Sequence, residues 1–423
     1  MDRAHIQPRP RRRVEPSACD AHDSTRWGVI RRYAGFAFSV TTILRSLLLG
    51  TAISDSTAVS LRPSPRRRRK SNAKKMHISA LYIHPIKSLL PIALQSSTVT
   101  ALGLPHDRTF VLVRAPQNTP LHIGHLSQLC LFSVAITDGD DDSASLEVTH
   151  TLAGDTLRIP LVPPVLGEAV EVTMHLSACT GFAVGADADV FFSRHLGFAA
   201  RLLFIGPSTR KVLGNIAPAQ QQPGFLASWF AAAAGKQQQQ EEDAAITFAD
   251  CAPLLVTTAA SLAAVSARTG DDVDVRKFRP NIVLAADDED GREPLQPWEE
   301  DYWAELEIGE DAPATLLCTA NCGRCLSLNV DFATGGFVEN HRQPLKLLMK
   351  DRRVDSGVKF SPVFGRYAFL RRREDGGGVV LRVGDRVRVS KRNEERTVFG
   401  WSPPPPKKKK KRKKERRRVL TVV

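Results

Sequence analysis

The chain has 423 residues, 42% hydrophobic and 25% charged, which is the composition of a folded protein with room for two domains. Its net charge of +14 sits at the ends: residues 1–75 hold 17 Lys and Arg against 5 Asp and Glu (+12), residues 407–418 hold 11 against one (+10), and the stretch between is left at −8. A nucleic-acid-binding domain carries its positive charge on the fold, so this distribution argues against specific nucleic-acid recognition, and seven scattered cysteines argue against the disulfide framework of a small secreted domain.

Residues 1–32 are rich in Arg, Pro and Ser, Tyr33–Ile53 is a mostly apolar run of 21 residues interrupted by Arg45, and Pro63–Lys75 is again basic. An Arg-rich, acid-poor leader has the character of a mitochondrial targeting segment. The apolar run is also long enough to span a bilayer, which takes ~20 residues, at a cost of roughly 2.5–3.5 kcal/mol for Arg45. Taken together the two readings point to a mitochondrial membrane, with membrane contact through this segment; the alternative is a disordered basic leader over residues 1–75. Translation from Met76 would instead leave the body in the cytoplasm.

From Ile78 the pattern is one of short apolar runs separated by Gly, Pro, Asn and Asp, which predicts a small antiparallel sheet or barrel. The runs are Ile78–Ile83, Ser97–Leu102, Thr109–Val113, Cys130–Ile136, Ser145–Val148, Asp155–Leu161 and Ala169–His175, with Asp138–Asp142 as a solvated hairpin tip. A helix over Asp187–His195 stops at Gly197 and leads to a strand, Ala200–Ile205. Residues 207–245 read as a polar linker or insertion between a first domain, 76–206, and a second, 246–402. There the spacing predicts a strand over Leu254–Thr257, a helix over Ala259–Arg268 capped by Thr258 and ended by Gly270, and strands at Asn281–Ala285, Ala304–Ile308 and Thr315–Cys318. A short helix over Arg342–Asp351 and strands at Tyr367–Leu370, Val379–Val383 and Arg386–Ser390 complete an α+β, mostly β chain. Pro403–Pro406 stiffens the exit into Lys407–Arg418, a basic end with no aromatic residue for base stacking: a nuclear localisation signal, an anionic-surface contact or a disordered tail (403–423).

The chemistry gathers in Leu316–Asp331 (LLCTANCGRCLSLNVD), which brings Cys318, Cys322, Arg324 and Cys325 close together. Flanking apolar runs, Pro313–Leu317 and Leu326–Val330, predict a loop between two short strands. The three-cysteine spacing matches four-iron clusters that use S-adenosylmethionine, but that chemistry expects an early motif in a barrel of alternating strands and helices. Structural zinc needs four ligands, and His341 lies far along the chain from the three cysteines. A molybdenum already held by the dithiolene of a pterin needs only one soft protein ligand, a thiolate. The pterin's phosphate then asks for Arg forks and Lys charges. The chain offers Lys87–Ser88, Asp107–Arg108, and Arg279 and Asn281 around Pro280.

Those residues carry a resemblance. FRPN (Phe278–Asn281), Trp303 within WEEDYWAELEIG, CGRC and Val330–Asp331 resemble the MOSC domain, named for the C-terminal part of molybdenum cofactor sulfurases. HPIKS (His84–Ser88) and GLPHDR (Gly103–Arg108) resemble the N-terminal β-barrel domain that precedes it, so the resemblance spans about Ile78–Ser390 and implies a β-barrel-like domain followed by a MOSC β-barrel. Its layout is similar to that of the amidoxime-reducing members of the family. The resemblance implies a molybdenum–pterin cofactor (Mo-molybdopterin) with Cys325 as metal ligand and catalytic centre. It implies cofactor contacts from Lys87, Ser88, Arg108, Arg279, Asn281, Gly323 and Arg324. Cys251 and Ala252 stand, between Asp250 and Pro253, where a Thr-Ser pair contacts the cofactor; only backbone contacts survive there. Asp331 would order the loop or handle protons. The implied activity is reduction of N-hydroxylated small molecules such as amidoximes, with electrons from a b-type cytochrome and its NADH-dependent reductase. The alternatives are a non-catalytic cofactor carrier or sulfur-transfer accessory, and an adaptor that has lost the cofactor. Pyridoxal phosphate binding is associated with the family only at its broadest level.

Overall fold

β1 (Met76–Ile83) turns Met76 and Ile78 inward, and then, after a bulge between Ile78 and Ala80, Leu81 and Ile83. The bulge reverses the alternation of inward and outward residues and lets one strand follow the curve of a closed sheet. The computed structural model describes residues 75–400 except 138–142, 176, 213–244, 288–293, 311–312 and 373–375. The apolar run Tyr33–Ile53, the acidic run Asp138–Asp142, most of the polar insertion and the basic end lie outside the described residues.

β1 pairs on one edge with β15 (Ile282–Ala286) and on the other first with β20 (Arg386–Arg392) and then with β2 (Ile92–Leu94). From β15 the sheet continues through β14 (Leu254–Thr258), β18 (Val363–Leu370), β17 (Ala314–Gly323) and β16 (Trp303–Ile308) to β20, so β1 closes a barrel. Its interior is Ile78, Leu81, Leu254, Val256, Ile282, Leu284, Leu306, Leu316 and a fully buried Trp303. All pairs are antiparallel except β14–β15, whose crossover is helix α2 (Ala259–Thr269). As the sequence predicts, the Thr258 side chain caps α2, accepting from Ser261 N at 3.1 Å, and Gly270 ends it at φ 76°.

The other half builds a smaller, nearly closed sheet in the order β5 (Thr119–Pro120), β4 (Phe110–Arg114), β11 (Ala200–Phe204), β10 (Ser177–Ala183), β9 (Ala169–Met174). The meander β6 (Phe132–Ile136), β7 (Ser145–His150), β8 (Thr156–Pro160) and helix α1 (Ala186–Leu196) pack against it around Phe110, Phe132, Phe192 and Leu202. The expected division at 207–245 separates chain segments but not sheets. β1 belongs to the larger barrel, β3 (Ser96–Val99) pairs with β19 (Val379–Arg382), and β12 (Arg210–Lys211) pairs with β13 (Ala245–Ile246) across the insertion. The helix expected over Arg342–Asp351 is limited to α3 (Pro344–Leu348), with Pro344 at its start.

Two expectations around the cysteines are corrected. β17 runs through Cys318 and Cys322 rather than stopping at the former, so only Cys325 lies beyond a strand. The strand expected over Leu326–Val330 is a 3-10 turn, Leu326–Asn329: Leu328 N bonds Cys325 O at 3.3 Å, and Asn329 Oδ1 accepts from Leu345 N at 3.1 Å. A short apolar run does not by itself distinguish strand from turn, and here tertiary hydrogen bonds decide.

Arg366, fully buried on β18, stitches the barrel from within. It donates to Asn321 Oδ1 (2.8 Å), Thr397 Oγ1 (2.6 Å), Trp303 O (2.8 Å) and Cys318 O (3.0 Å). Arg366→Met orphans several buried acceptors at about 1–3 kcal/mol each. We expect a fall in unfolding free energy of at least ~3 kcal/mol, read as a lower urea midpoint at unchanged m-value.

Candidate functional site

Segments from both halves of the body converge on a cavity of about 400 Å³. The turn after β1 brings Lys87 and Ser88, and Lys87 N bonds Phe110 O at 2.9 Å. The second turn brings Arg108, tied through its N to His84 O at 2.9 Å. The loop after β5 supplies His122 and His125, the segment between β13 and β14 supplies Asp250 and Ala252, FRPN supplies Arg279 and Asn281, and the end of β17 supplies Cys322–Cys325. Two glycines set the approach distances. A Cβ on Gly103 (φ 96°) would stand 2.8 Å from Pro253 O, and one on Gly124 3.1 Å from Ser327 N.

Arg108 joins the two halves. It pairs with Asp107 through Nη1, which also donates to Asn281 Oδ1 at 3.2 Å, while Nη2 donates to Arg279 O at 3.0 Å. Asn281 Oδ1 also accepts from Leu255 N (3.1 Å), and its Nδ2 donates to Tyr82 O (3.2 Å). Both residues line the cavity, yet their side chains are largely committed to holding its walls together. Asp107 accepts from His84 N at 2.7 Å. Burial raises its pKa, but Arg108 and then His84 overcome that and bring it down to about 2. His84, fully buried, is kept neutral by burial and by the Arg279 and Arg108 charges.

Arg279, with φ 54°, anchors Nη1 on Leu89 O at 2.9 Å. Its Nη2 is buried with no hydrogen-bond partner among the described residues. Burial, and next the repulsion of Arg108, pull its pKa down to about 9. Arg324 donates to Cys322 Sγ at 3.0 Å and Phe278 O at 2.7 Å. Its charge is disfavoured by burial but held by the thiols of Cys322 and Cys325, for a net upward shift. Arg cations left without an anion inside a protein are costly, and this wall carries positive charge that its own groups meet only in part.

The three cysteines occupy three environments. Cys318 lies in the barrel core, where burial raises its pKa to about 11. Cys322 is buried, its Sγ 3.2 Å from the Tyr367 hydroxyl. Cys325 is exposed at the cavity, its Sγ 3.4 Å from Ser327 Oγ. Among the described residues no three His, Cys, Asp or Glu side chains are grouped so as to hold a metal ion by themselves.

Of the residues singled out from the sequence, Lys87, Ser88, Arg108, Ala252, Arg279, Asn281, Gly323, Arg324 and Cys325 line the cavity. Cys251 does not: it is buried in an apolar cluster with Leu255 and Phe369, and burial pushes its thiol up to about 12. Asp331 also lies outside the lining, where its carboxylate accepts from Ala333 N (3.0 Å) and Thr334 Oγ1 (2.9 Å) and orders the turn after β17. Sequence reasoning missed His122, His125, His175 and Tyr367 on the cavity wall. The pair of histidines in LHIGHL was visible but had no partner in view. It also missed Arg210, buried and donating to Thr247 O (3.1 Å), Met174 O (2.9 Å) and Asp250 O (3.2 Å), which fixes the Asp250 segment.

Comparison with known proteins agrees with this architecture. The MOSC domain family matches residues 243–388, and the MOSC N-terminal beta barrel domain matches residues 75–199. The chain is a MOSC domain protein with a MOSC N-terminal β-barrel domain. It is similar to mitochondrial amidoxime-reducing component 1 of Mus musculus, at 28% identity over 83% of this chain and 94% of that protein. The Homo sapiens protein of the same name is 28% identical over 80% of this chain and 92% of its own length. A molybdenum cofactor sulfurase of Solanum lycopersicum is 22% identical over 68% of this chain and 33% of its own length.

Asp107 gives a pH prediction. Its folded pKa lies below the usual carboxylate value, so its contribution to stability is fully present above about pH 4 and is lost as pH falls toward 2. The amount is on the order of 2 kcal/mol. Asp107→Asn should remove it, flattening the acid limb of a stability-versus-pH curve measured by urea unfolding.

Proposed function

We propose that the chain binds a molybdenum–pterin cofactor in this cavity and reduces N-hydroxylated compounds such as amidoximes. The observation that carries this reading is an exposed thiol, Cys325, in the lining of a cavity that also holds Arg279, whose Nη2 is buried with no partner among the described residues. The donor set fits such a cofactor: one soft ligand for the metal, and Arg279, Arg324, Lys87 and Ser88 for the phosphate and pterin. The missing Thr-Ser hydroxyls leave the Cys251–Ala252 segment only its backbone.

When bound, the cofactor supplies a redox centre able to take oxygen from nitrogen. The chain's own residues seat and orient it. Arg108 and Asn281 hold the two walls at a fixed spacing, Arg324 braces the ligand loop through Cys322 and Phe278 O, and Leu326 offers an apolar face beside Cys325. Electrons would come from a b-type cytochrome and its NADH-dependent reductase. A mitochondrial location accords with the names of the relatives; among the described residues no helix is long and apolar enough to cross a membrane. A second reading, a carrier or sulfur-transfer accessory, draws on the sulfurase relative and on the lost hydroxyls.

Elemental analysis of the purified full chain should find stoichiometric Mo, and reduced viologen should drive reduction of benzamidoxime. Cys325→Ser should lose both metal and activity, whereas Cys318→Ala, in the barrel core, should keep both. Stoichiometric Mo without turnover would favour the carrier; absence of Mo after expression in a cofactor-producing host would remove both readings.

A further inference from the structure

Removing oxygen from an N-hydroxylated nitrogen consumes protons as well as electrons. For an amidoxime, R–C(NH2)=N–OH takes up two electrons from a one-electron donor of cytochrome or viologen type and two protons, the N–O bond breaks, and R–C(NH2)=NH and water leave. The oxygen departs as water only if the cavity can deliver protons next to it. We propose that His122 is the proton donor of this cavity, recharged from solvent by His175 held against Asp250. The inference rests on the proposed reductase activity.

Four ionisable side chains line one wall of the cavity. Lys87 Nζ donates to Phe248 O at 2.9 Å and pairs with Asp250. Asp250 Oδ1 also faces His175 Nε2 at 3.0 Å. His175 and Asp250 are 36% and 49% exposed, so this end of the array reaches solvent. The His122 ring lies 5.8 Å from that of His175, centroid to centroid, at 51°. His122 is half-buried and its ring nitrogens make no hydrogen bond to any described residue. It is an ionisable group at the cavity left free to give a proton.

Of the other groups at the cavity, His125 is exposed to solvent and the non-imidazole groups are worse acids. Arg279 and Arg324 stay charged at neutral pH, and Lys87 is held by Asp250 and Phe248 O. The Tyr367 hydroxyl is pushed well above its usual range, first by burial and next by Cys322. His84 is buried outside the lining. Imidazole is the side chain suited to this work near neutral pH.

The electrostatics couple the donor to the guest. The groups that act on His122 are Lys87, Asp250, His175 and His125. Burial, and next the Lys87 charge, bring its pKa down to about 4. Negative charge seated beside Lys87 and Arg279 offsets the Lys87 charge and favours the protonated ring, so the value rises as the anion arrives.

Two measurements on the full chain test this. In the first, imidazole NMR titration, with the His122 signal assigned from His122→Gln, is run with and without inorganic phosphate on protein without molybdenum. The His122 midpoint should move upward by about a unit or more with phosphate; a midpoint that phosphate leaves in place overturns the coupling. In the second, Mo-loaded protein with reduced viologen and benzamidoxime should lose kcat by ~10²-fold or more in His122→Gln, with KM and Mo content little changed. The acid-dependent limb of the pH profile should vanish, and added imidazole should restore part of the rate in His122→Ala. His175→Gln, a positioning change, should lower kcat less while displacing that limb. Active wild type with an unchanged His122→Gln profile overturns the inference alone. Mo-loaded wild type with no turnover overturns the reductase reading and the inference with it.

Discussion

The structure depends on the guanidinium of Arg108. It reaches from the N-terminal half to Asn281 Oδ1 and to the carbonyl of Arg279, while its charge is met by Asp107. Burying an ion pair is costly, and the cost is offset only when hydrogen bonds satisfy both partners. Here His84 N and Asn281 supply them, and Asn281 is itself bound to Leu255 N and Tyr82 O. One connected polar network thus sets the spacing between the turn that carries Lys87 and the turn that carries Arg279. The cavity is the space this network keeps open.

The network also explains the division of labour among the cations. Arg108 is occupied by protein partners, Lys87 is paired with Asp250, and Arg324 is spent on a thiol and a carbonyl. Arg279 keeps a buried Nη2, and Arg324 a buried Nε, with no hydrogen-bond partner among the described residues. Repulsion between Arg108 and Arg279 is tolerated because Asp107 and Asp250 stand nearby. Under the proposed function, an anion entering the cavity would relieve the strain these charges impose on one another.

Much of this could be read from the chain because the informative signals are local. Thr258 followed by an alanine-rich run to Gly270 states where α2 starts and stops, and FRPN and CGRC mark turns whose backbone shapes recur. What could not be read depends on partners distant in sequence. Cys322 looks like part of a loop until Asn321 and Gly323 pair with β18. Leu326–Val330 looks like a strand until Leu345 binds Asn329. His122 and His175 lie in different hairpins, and only the closure of the smaller sheet brings their rings together. Asp331 reads from the sequence as a residue that orders the cysteine loop or handles protons, whereas its carboxylate bonds within its own turn, outside the cavity lining, and that position depends on tertiary packing.

The closure of the larger barrel by β1 has a consequence for biogenesis. Apart from the adjacent β2, its partners are β15 and β20, so the earliest strand of the body to leave the ribosome must wait for nearly the last one before its edges are fully covered. Pairings of such long sequence separation form slowly, and an uncovered strand edge invites pairing with another chain. The bulge that bends β1 and the charged side chains that flank the late strand limit that hazard. It also follows that the MOSC half, expressed from residue 246 onward, would present a cylinder with one stave missing.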